Sequence, residues 1–321
     1  MVEEKSERRK SMIYTVTLNP CIDKTYDVDG LVVDRMNRSI SSRTDYCGKG
    51  VNVAIDCCIL GQKAIATGFL GSNDLKPYNE TLSKYGVENG FVMVEGSTRV
   101  NIKIVDIKTM EQTDVNESGF EIPVSKITEL EEYLKTNVKK GDIVSFSGSV
   151  PKKFSFESFK RLIDAVVFNG GKLVVDTEKE RLAYGIKMKA FMIKPNIHEF
   201  EDYLSKKLET VEEIAKEANN IAKTGVTNVV ISMGGDGCLF ANADSVIYCK
   251  NLDVKCVSTT GAGDSVVAGF ISAYAEGKAF EDCAVSAVAS ASACVMTKGT
   301  LPPEKEKYDE LLKKVSFIRV L

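Results

Sequence analysis

Thr259-Thr260-Gly261-Ala262-Gly263-Asp264-Ser265 is followed at once by Val266, Val267, Ala268, Phe270 and Ile271. Two glycines around an alanine read as a tight turn, and the apolar run reads as a buried helix fed by it. The first amides of a helix lack partners within it and the helix dipole leaves them positive, so such a turn holds an anion. An acidic side chain there repels a phosphate, and chemistry gives a reason to keep it. A carboxylate at Asp264 takes the proton of an attacking hydroxyl while the turn's amides hold the moving phosphoryl group. The same aspartate also reads as a plain helix N-cap, a position that Asp favours.

Upstream of that turn the chain alternates two kinds of segment. β-type runs occur at Met12–Leu18, Ala64–Phe69, Asp142–Phe146, Lys172–Asp176, Ala190–Ile193 and Asn228–Ser232. Helix-type stretches lie between several of them, at Val51–Leu60, Val124–Thr136, Ser155–Asn169 and Thr210–Thr224. That rhythm predicts right-handed βαβ units and a mostly parallel sheet. Leu173-Val174-Val175 and Val229-Val230-Ile231 are continuous apolar runs, as strands covered on both faces require. After Gly261 the chain reads as nearly all helix: Ser265–Glu276, Phe280–Thr297 and Pro303–Val315. Lys24–Tyr46 and Thr98–Asn116 break the rhythm with alternating polar and apolar residues, and are expected as antiparallel strands of a small lid outside the main sheet. Residues 12–321 are therefore expected to form one domain, with lid strands from about 24–46 and 98–116.

Composition narrows the class. The chain has 321 residues, 44% hydrophobic and 27% charged, with a net charge of −3 and both signs interspersed. An ordinary globular core follows, and neither a nucleic-acid partner nor a membrane surface is indicated. Met1–Ser11 is charged and lacks the apolar stretch of a secretory signal, so a disordered extension is expected there. Cys283–Met296 is too short to span a bilayer. Nine cysteines include no CxxC pair, which argues against a zinc or iron–sulfur motif and against a disulfide framework. Cys57, Cys58, Cys283 and Cys294 sit in apolar helical runs and read as small buried hydrophobes, consistent with a reducing cytoplasm.

Other motifs lie at predicted strand ends, where open α/β sheets bind ligands. Gly48-Lys49-Gly50-Val51-Asn52 opens a helix, but Lys49 is followed by Gly50, so it is neither a Walker A loop nor a dinucleotide fingerprint. Asp23, in Thr17-Leu18-Asn19-Pro20-Cys21-Ile22-Asp23, is expected just past the end of the first strand, where a carboxylate accepts from sugar hydroxyls or simply makes a turn. Arg99 opens a lid strand with a guanidinium suited to phosphate. Ser145-Phe146-Ser147-Gly148-Ser149-Val150-Pro151 ends another strand. Asn196 and Glu199, in Lys194-Pro195-Asn196-Ile197-His198-Glu199, share one helix face; they suit Mg²⁺ through waters, or a capping box, or both. Ser232-Met233-Gly234-Gly235-Asp236-Gly237 lies against a nucleotide or makes a tight hairpin. The sole histidine, His198, reads as a surface residue, and no GxSxG elbow surrounds a serine, so a Ser-His-Asp or Cys-His relay is unsupported.

Six of these pieces, in this order, resemble the ribokinase/PfkB family of carbohydrate kinases, in its hexose-phosphate branch: Thr17–Asp23, Gly48–Val53, Thr98–Lys103, Ser147–Pro151, Lys194–Glu199 and Thr259–Ser265. The resemblance spans about Met12 to Gly299. It implies a ribokinase-like α/β three-layer sandwich with a mostly parallel sheet and a small β lid. It implies Asp264 as base and Gly261, Ala262 and Gly263 as anion hole. Asp23, Gly48, Lys49, Asn52 and Arg99 would hold a sugar phosphate, with Ser149 nearby. Asn196 and Glu199 would organise Mg²⁺, and Lys194, Asn196, Ser232, Gly234, Gly237, Thr259, Val288 and Ser292 would line the ATP site. A homodimer through the lid is implied as well.

The chain departs from the family pattern in three places. Cys47 stands where the family usually has Gly, Asp176-Thr177-Glu178-Lys179 replaces a common Asp-Thr-Ser-Gly, and Ser72-Asn73-Asp74 replaces a second glycine cluster. The phosphoryl-transfer residues are untouched, while the sugar is left open.

The expected reaction is transfer from ATP to the primary hydroxyl of a phosphorylated ketohexose. Fructose 1-phosphate comes first, with tagatose 6-phosphate and fructose 6-phosphate as alternatives. Phosphoryl transfer is loose, so an aspartate with an ordinary pKa near ~4 is expected to suffice as base. Two rivals are a catalytically idle sugar-phosphate sensor and a nicotinamide dehydrogenase. The intact Gly-Ala-Gly-Asp disfavours the first, and the missing glycine fingerprint the second.

Overall fold

Leu173 and Val175 pack into one apolar cluster and Val174 into another, because helices cover both faces of their strand. The same split divides Val229 and Ile231 from Val230. The computed structural model describes residues 11–321; the extension expected at 1–11 lies, apart from Ser11, outside them.

The elements run β1 (Ile13–Thr17), β2 (Cys21–Val28), β3 (Ser39–Cys47), α1 (Lys49–Ile59), β4 (Ala64–Gly71), α2 (Leu75–Lys84), β5 (Glu88–Val94), β6 (Arg99–Asp106) and β7 (Gln112–Asn116). There follow α3 (Val124–Asn137), β8 (Ile143–Ser147), α4 (Phe156–Phe168), β9 (Lys172–Asp176), α5 (Lys179–Lys187), β10 (Met192–Ile193), α6 (Ile197–Leu204) and α7 (Val211–Lys223). The last part holds β11 (Asn228–Ser232), β12 (Cys238–Ala241), β13 (Val246–Cys249), α8 (Ala262–Ala275), α9 (Phe280–Cys294), α10 (Lys305–Leu312) and β14 (Phe317–Arg319).

A ten-stranded sheet has the order β14-β13-β12-β11-β10-β9-β8-β1-β4-β5. From β11 to β5 neighbouring strands are parallel; β12, β13 and β14 add on antiparallel. One core layer joins the sheet to α3, α4, α5, α6 and α7, the other to α1, α2, α8 and α9. The expected βα rhythm is thus present. The strand expected at Ala190–Ile193 shortens to two residues, and β14 follows the last helix as a strand that was not expected.

A second sheet, β3-β2-β6-β7, forms the lid. It is not wholly antiparallel as expected: β2 and β6 pair in parallel, since the chain leaves β3, threads α1, β4, α2 and β5, and re-enters the lid at Arg99. β7 is exposed along its whole length. The lid also starts earlier than expected, at Cys21, so Asp23 lies within β2 rather than in a turn after β1. Cys57, Cys283 and Cys294 are buried as expected, whereas Cys58 is half-exposed; all nine cysteines are free thiols.

Candidate active site

Parallel strands end on one edge, and Thr17, Ser147, Asp176, Ile193 and Ser232 close β1, β8, β9, β10 and β11 there. Gly261 takes the left-handed conformation (φ 86°) that glycine adopts freely, and the chain turns from it into α8. Asp264 falls in the first turn of that helix and is 4% exposed. Its Oδ2 accepts a 2.8 Å hydrogen bond from Asn52 Nδ2 on α1. Burial lifts the Asp264 carboxyl to about 6, against the pull of Lys49; the expectation of an ordinary carboxylate is corrected accordingly.

From Asp264 a chain of contacts runs along the strand ends. A methyl at Gly263 would lie 3.2 Å from Lys194 Nζ, so the ammonium abuts the turn. Lys194 is buried and pairs with Asp176 Oδ1 at 3.1 Å; Lys49 Nζ stands 3.7 Å from Asp176 Oδ2. Asp176 Oδ2 is buried without a hydrogen bond. Desolvation works against the Asp176 charge, but the two lysines prevail and hold its carboxyl below the usual range. Asp176 chiefly raises the Lys49 ammonium, which stays a cation. The loop at Gly148 lies against the Lys49 side chain. Gly48 and Gly50 allow α1 to start hard against β1: a Cβ at Gly50 would meet Thr17 Oγ1 at 2.4 Å.

A second cluster sits at the lid root. Asp23, 3% exposed, accepts from Lys103 Nζ at 2.6 Å and Asn101 Nδ2 at 2.9 Å. Burial alone would raise its carboxyl, yet Lys103 and these bonds hold it below the ordinary value. Arg99 is occupied: its guanidinium donates to the main-chain oxygens of Asn19, Pro20 and Glu117 and to Asn101 Oδ1. In this arrangement it ties the lid to the turn after β1 rather than standing free. Asn19 Nδ2 reaches Ser149 Oγ at 3.4 Å and joins this cluster to the first.

Asn196 and Glu199 form a full capping box on α6, each side chain accepting from the other's amide at 2.9 Å. Asn196 also bridges to Ser232, beside the Gly234–Asp236 turn and Gly237 that make the hairpin into β12. Thr259 is exposed ahead of the turn. Val288 and Ser292 are not brought onto an open wall: both are buried, Val288 1% exposed within the core beneath α8 and α9. His198 is exposed on α6. Asp176 and Lys103 fall within stretches quoted from the sequence but were given no role in the site. Each had a signal, a lone charge ending an apolar strand and a charge inside an alternating strand, but only folding gives them their partners.

A mostly parallel sheet with a small lid, and a buried carboxylate ringed by ammonium groups at its strand ends, is the frame of an α/β phosphotransferase. The pfkB family carbohydrate kinase model matches residues 16–307. The chain is 32% identical over 310 residues to a 1-phosphofructokinase of Borreliella burgdorferi, covering 96% of this chain and 98% of that one. The phosphofructokinase-2 of Escherichia coli, solved in complex with substrates and products, superposes with a TM-score of 0.90 at 26% identity over 94% of this chain and 99% of that one. A ribokinase of Thermotoga maritima shares the fold, with a TM-score of 0.75 at 23% identity, covering 94% and 99% of the two chains. The chain belongs to the pfkB family of carbohydrate kinases. It is a sugar-phosphate kinase with ATP as co-substrate. No helix among the described residues is long and apolar enough to cross a membrane.

Proposed function

We propose that the chain, as one cytoplasmic kinase domain over residues 12–321, transfers the γ-phosphoryl group of ATP to the primary hydroxyl of fructose 1-phosphate, giving fructose 1,6-bisphosphate. The placement of Asp264 carries the mechanism: a buried carboxylate in the first turn of α8, bonded to Asn52 and beside Lys194. The hydrogen bond at Oδ2 orients the group and leaves Oδ1 to take the proton of the acceptor. The amides of Gly261, Ala262 and Gly263 at the start of α8 meet the charge that develops on the phosphoryl oxygens, that of Ala262 while donating to the Thr259 carbonyl at 3.3 Å. Asp264 and Asp176 cancel Lys49 and Lys194 in charge, so the amides and a divalent cation have to meet the nucleotide's own charge. Glu199 keeps its Oε1 outside the capping box, a hard oxygen donor that suits Mg²⁺ through water, beside Asn196. Mg²⁺ would neutralise and align the phosphates.

On the acceptor side, Asp23, Gly48, Lys49, Asn52 and Arg99, with Ser149 nearby, hold the sugar phosphate. Release of Arg99 from its carbonyl partners accompanies binding. Lys194, Asn196, Ser232, Gly234, Gly237 and Thr259 face ATP; Val288 and Ser292 support that wall from the core. The identity to the Borreliella burgdorferi 1-phosphofructokinase along nearly the whole chain supports fructose 1-phosphate as acceptor. A coupled ADP-release assay over fructose 1-phosphate, fructose 6-phosphate, tagatose 6-phosphate and unphosphorylated sugars tests it. The highest kcat/KM is expected with fructose 1-phosphate, and a preference for another acceptor would reassign the substrate.

Two protomers pair through the lid. Ile102 and Val115, opposite each other on β6 and β7, and Ile40 on β3, expose apolar surface on an open sheet. Burying that surface against a second lid removes it from water.

A further inference from the structure

Cys21 begins β2 and Cys47 ends β3, and the register sets them opposite each other at the root of the lid. Both are buried and their Sγ atoms are 3.6 Å apart. Together with a carboxylate oxygen of Asp23 they present three ligand atoms within 4.8 Å of one another. Two thiolates bound at ~2.3 Å to one tetrahedral ion stand about 3.7 Å apart, so the sulfurs already have the spacing that such an ion imposes. The frame is held from behind: the buried Tyr78 hydroxyl lies 2.7 Å from the carbonyl oxygen of Cys21 and 2.9 Å from that of Cys47. Asn101 and Lys103 donate to Asp23 as outer groups do around a metal-binding carboxylate. A carboxylate has about four lone-pair sites, so these bonds leave room for a further ligand.

We propose that Cys21, Cys47 and Asp23 form a binding site for Zn²⁺ whose occupation inhibits the kinase by drawing Asp23 away from the sugar phosphate. Binding forms two Zn–S bonds and one Zn–O bond and releases two thiol protons to solvent, with no change of oxidation state. Two thiolates and a carboxylate exceed the charge of Zn²⁺ by one, and the Lys103 ammonium offsets the excess. Mg²⁺, which prefers oxygen ligands, does not compete for the sulfurs. The inhibition rests on the reading of Asp23 as a sugar ligand; the binding of the ion does not.

The test uses the full chain carrying Cys256→Ser, which removes an exposed thiol, kept reduced with a phosphine. Zn²⁺ is titrated against a chromogenic chelator, and Co²⁺ is added separately to read thiolate-to-metal charge transfer. Initial rates are then measured against fructose 1-phosphate at saturating MgATP, with and without Zn²⁺. The background chain should bind one more Zn²⁺ than chains carrying Cys21→Ser or Cys47→Ser, and only the background should show the cobalt–thiolate band. Zn²⁺ should raise the KM for the sugar phosphate about tenfold with kcat unchanged. Should the serine variants fold poorly, Cys21→Ala and Cys47→Gly serve instead, with the zinc-free kcat as the check of folding. Equal stoichiometry and an equal cobalt band in background and variants would overturn the site. Cysteine-dependent binding without a change in KM would keep the site, overturn the inhibition and count against Asp23 as a sugar ligand.

Discussion

At Asp264, burial lifts the carboxyl to about 6, so protonation of the base begins at higher pH than for an exposed aspartate near ~4. Turnover needs the ionised form, and log kcat/KM should fall with a slope of about one per pH unit below ~6. A pH–rate profile whose acid limb lies near ~4 would contradict this. Asp56, on α1, is fully enclosed, and burial raises it to about 8. Its partner is the hydroxyl of Ser265, the residue after Asp264. The folded chain therefore keeps a proton on Asp56 that the unfolded chain loses near ~4, so stability from this group falls as pH rises toward 8. Wild-type protein should lose about 2–3 kcal/mol between pH 6 and 8 through Asp56, and Asp56→Asn should flatten that dependence in chemical-denaturation series. Parallel curves for the two proteins would remove Asp56 as the cause. Asp264 was legible in the sequence because its turn and apolar helix are local. Its raised pKa was not, since the cause is burial beneath elements distant in sequence, among them α1, whose Asn52 lies 212 positions away and whose hydrogen bond only partly offsets that burial.

Element boundaries followed periodicity where packing is two-sided. β8, β9 and β11 match the apolar runs closely, because a strand covered on both faces carries an unbroken hydrophobic signature. The lid resisted the same reading: alternation identifies an open sheet but cannot say which strands pair, and the β2–β6 contact joins segments separated by β3, α1, β4, α2 and β5. Close approach of elements is visible only in three dimensions. A Cβ at Gly68 (φ 122°) would lie 2.0 Å from the Thr17 carbonyl oxygen on the neighbouring strand, whereas one at Gly61 (φ 88°) would meet nothing within 4 Å. Gly68→Ala should cost more than about 3 kcal/mol or prevent folding, while Gly61→Ala should cost about 1 kcal/mol from its backbone conformation alone. Thermal melts of the two variants separate these effects, and equal losses would mean that the β1–β4 contact yields.

For the whole molecule, the proposed pairing of two lids rests on the exposed Ile102, Val115 and Ile40. Ile102→Asp places a charge on that face, away from the Asp23–Lys103 pair, and should shift the protein to monomer in light scattering while leaving its fold intact. A mass unchanged from wild type would remove the lid as the interface. Six of the seven parallel strands were legible from the alternation of apolar runs and helical stretches; β5, half-exposed at the edge of the sheet, escaped that reading. The meeting of Asp176, Lys49 and Lys194 was not, because it comes from three separate segments. That meeting acts on the carboxylate on which the chemistry depends: Lys49 and Lys194 pull the Asp264 carboxyl down and Asp176 pushes it up. The most direct test is kcat of Asp264→Asn, measured beside the Kd values for ATP and fructose 1-phosphate. The structure predicts a fall in kcat of roughly 10²–10⁴ with both ligands still bound at near wild-type affinity; turnover close to wild type would contradict the assignment of Asp264 as the base.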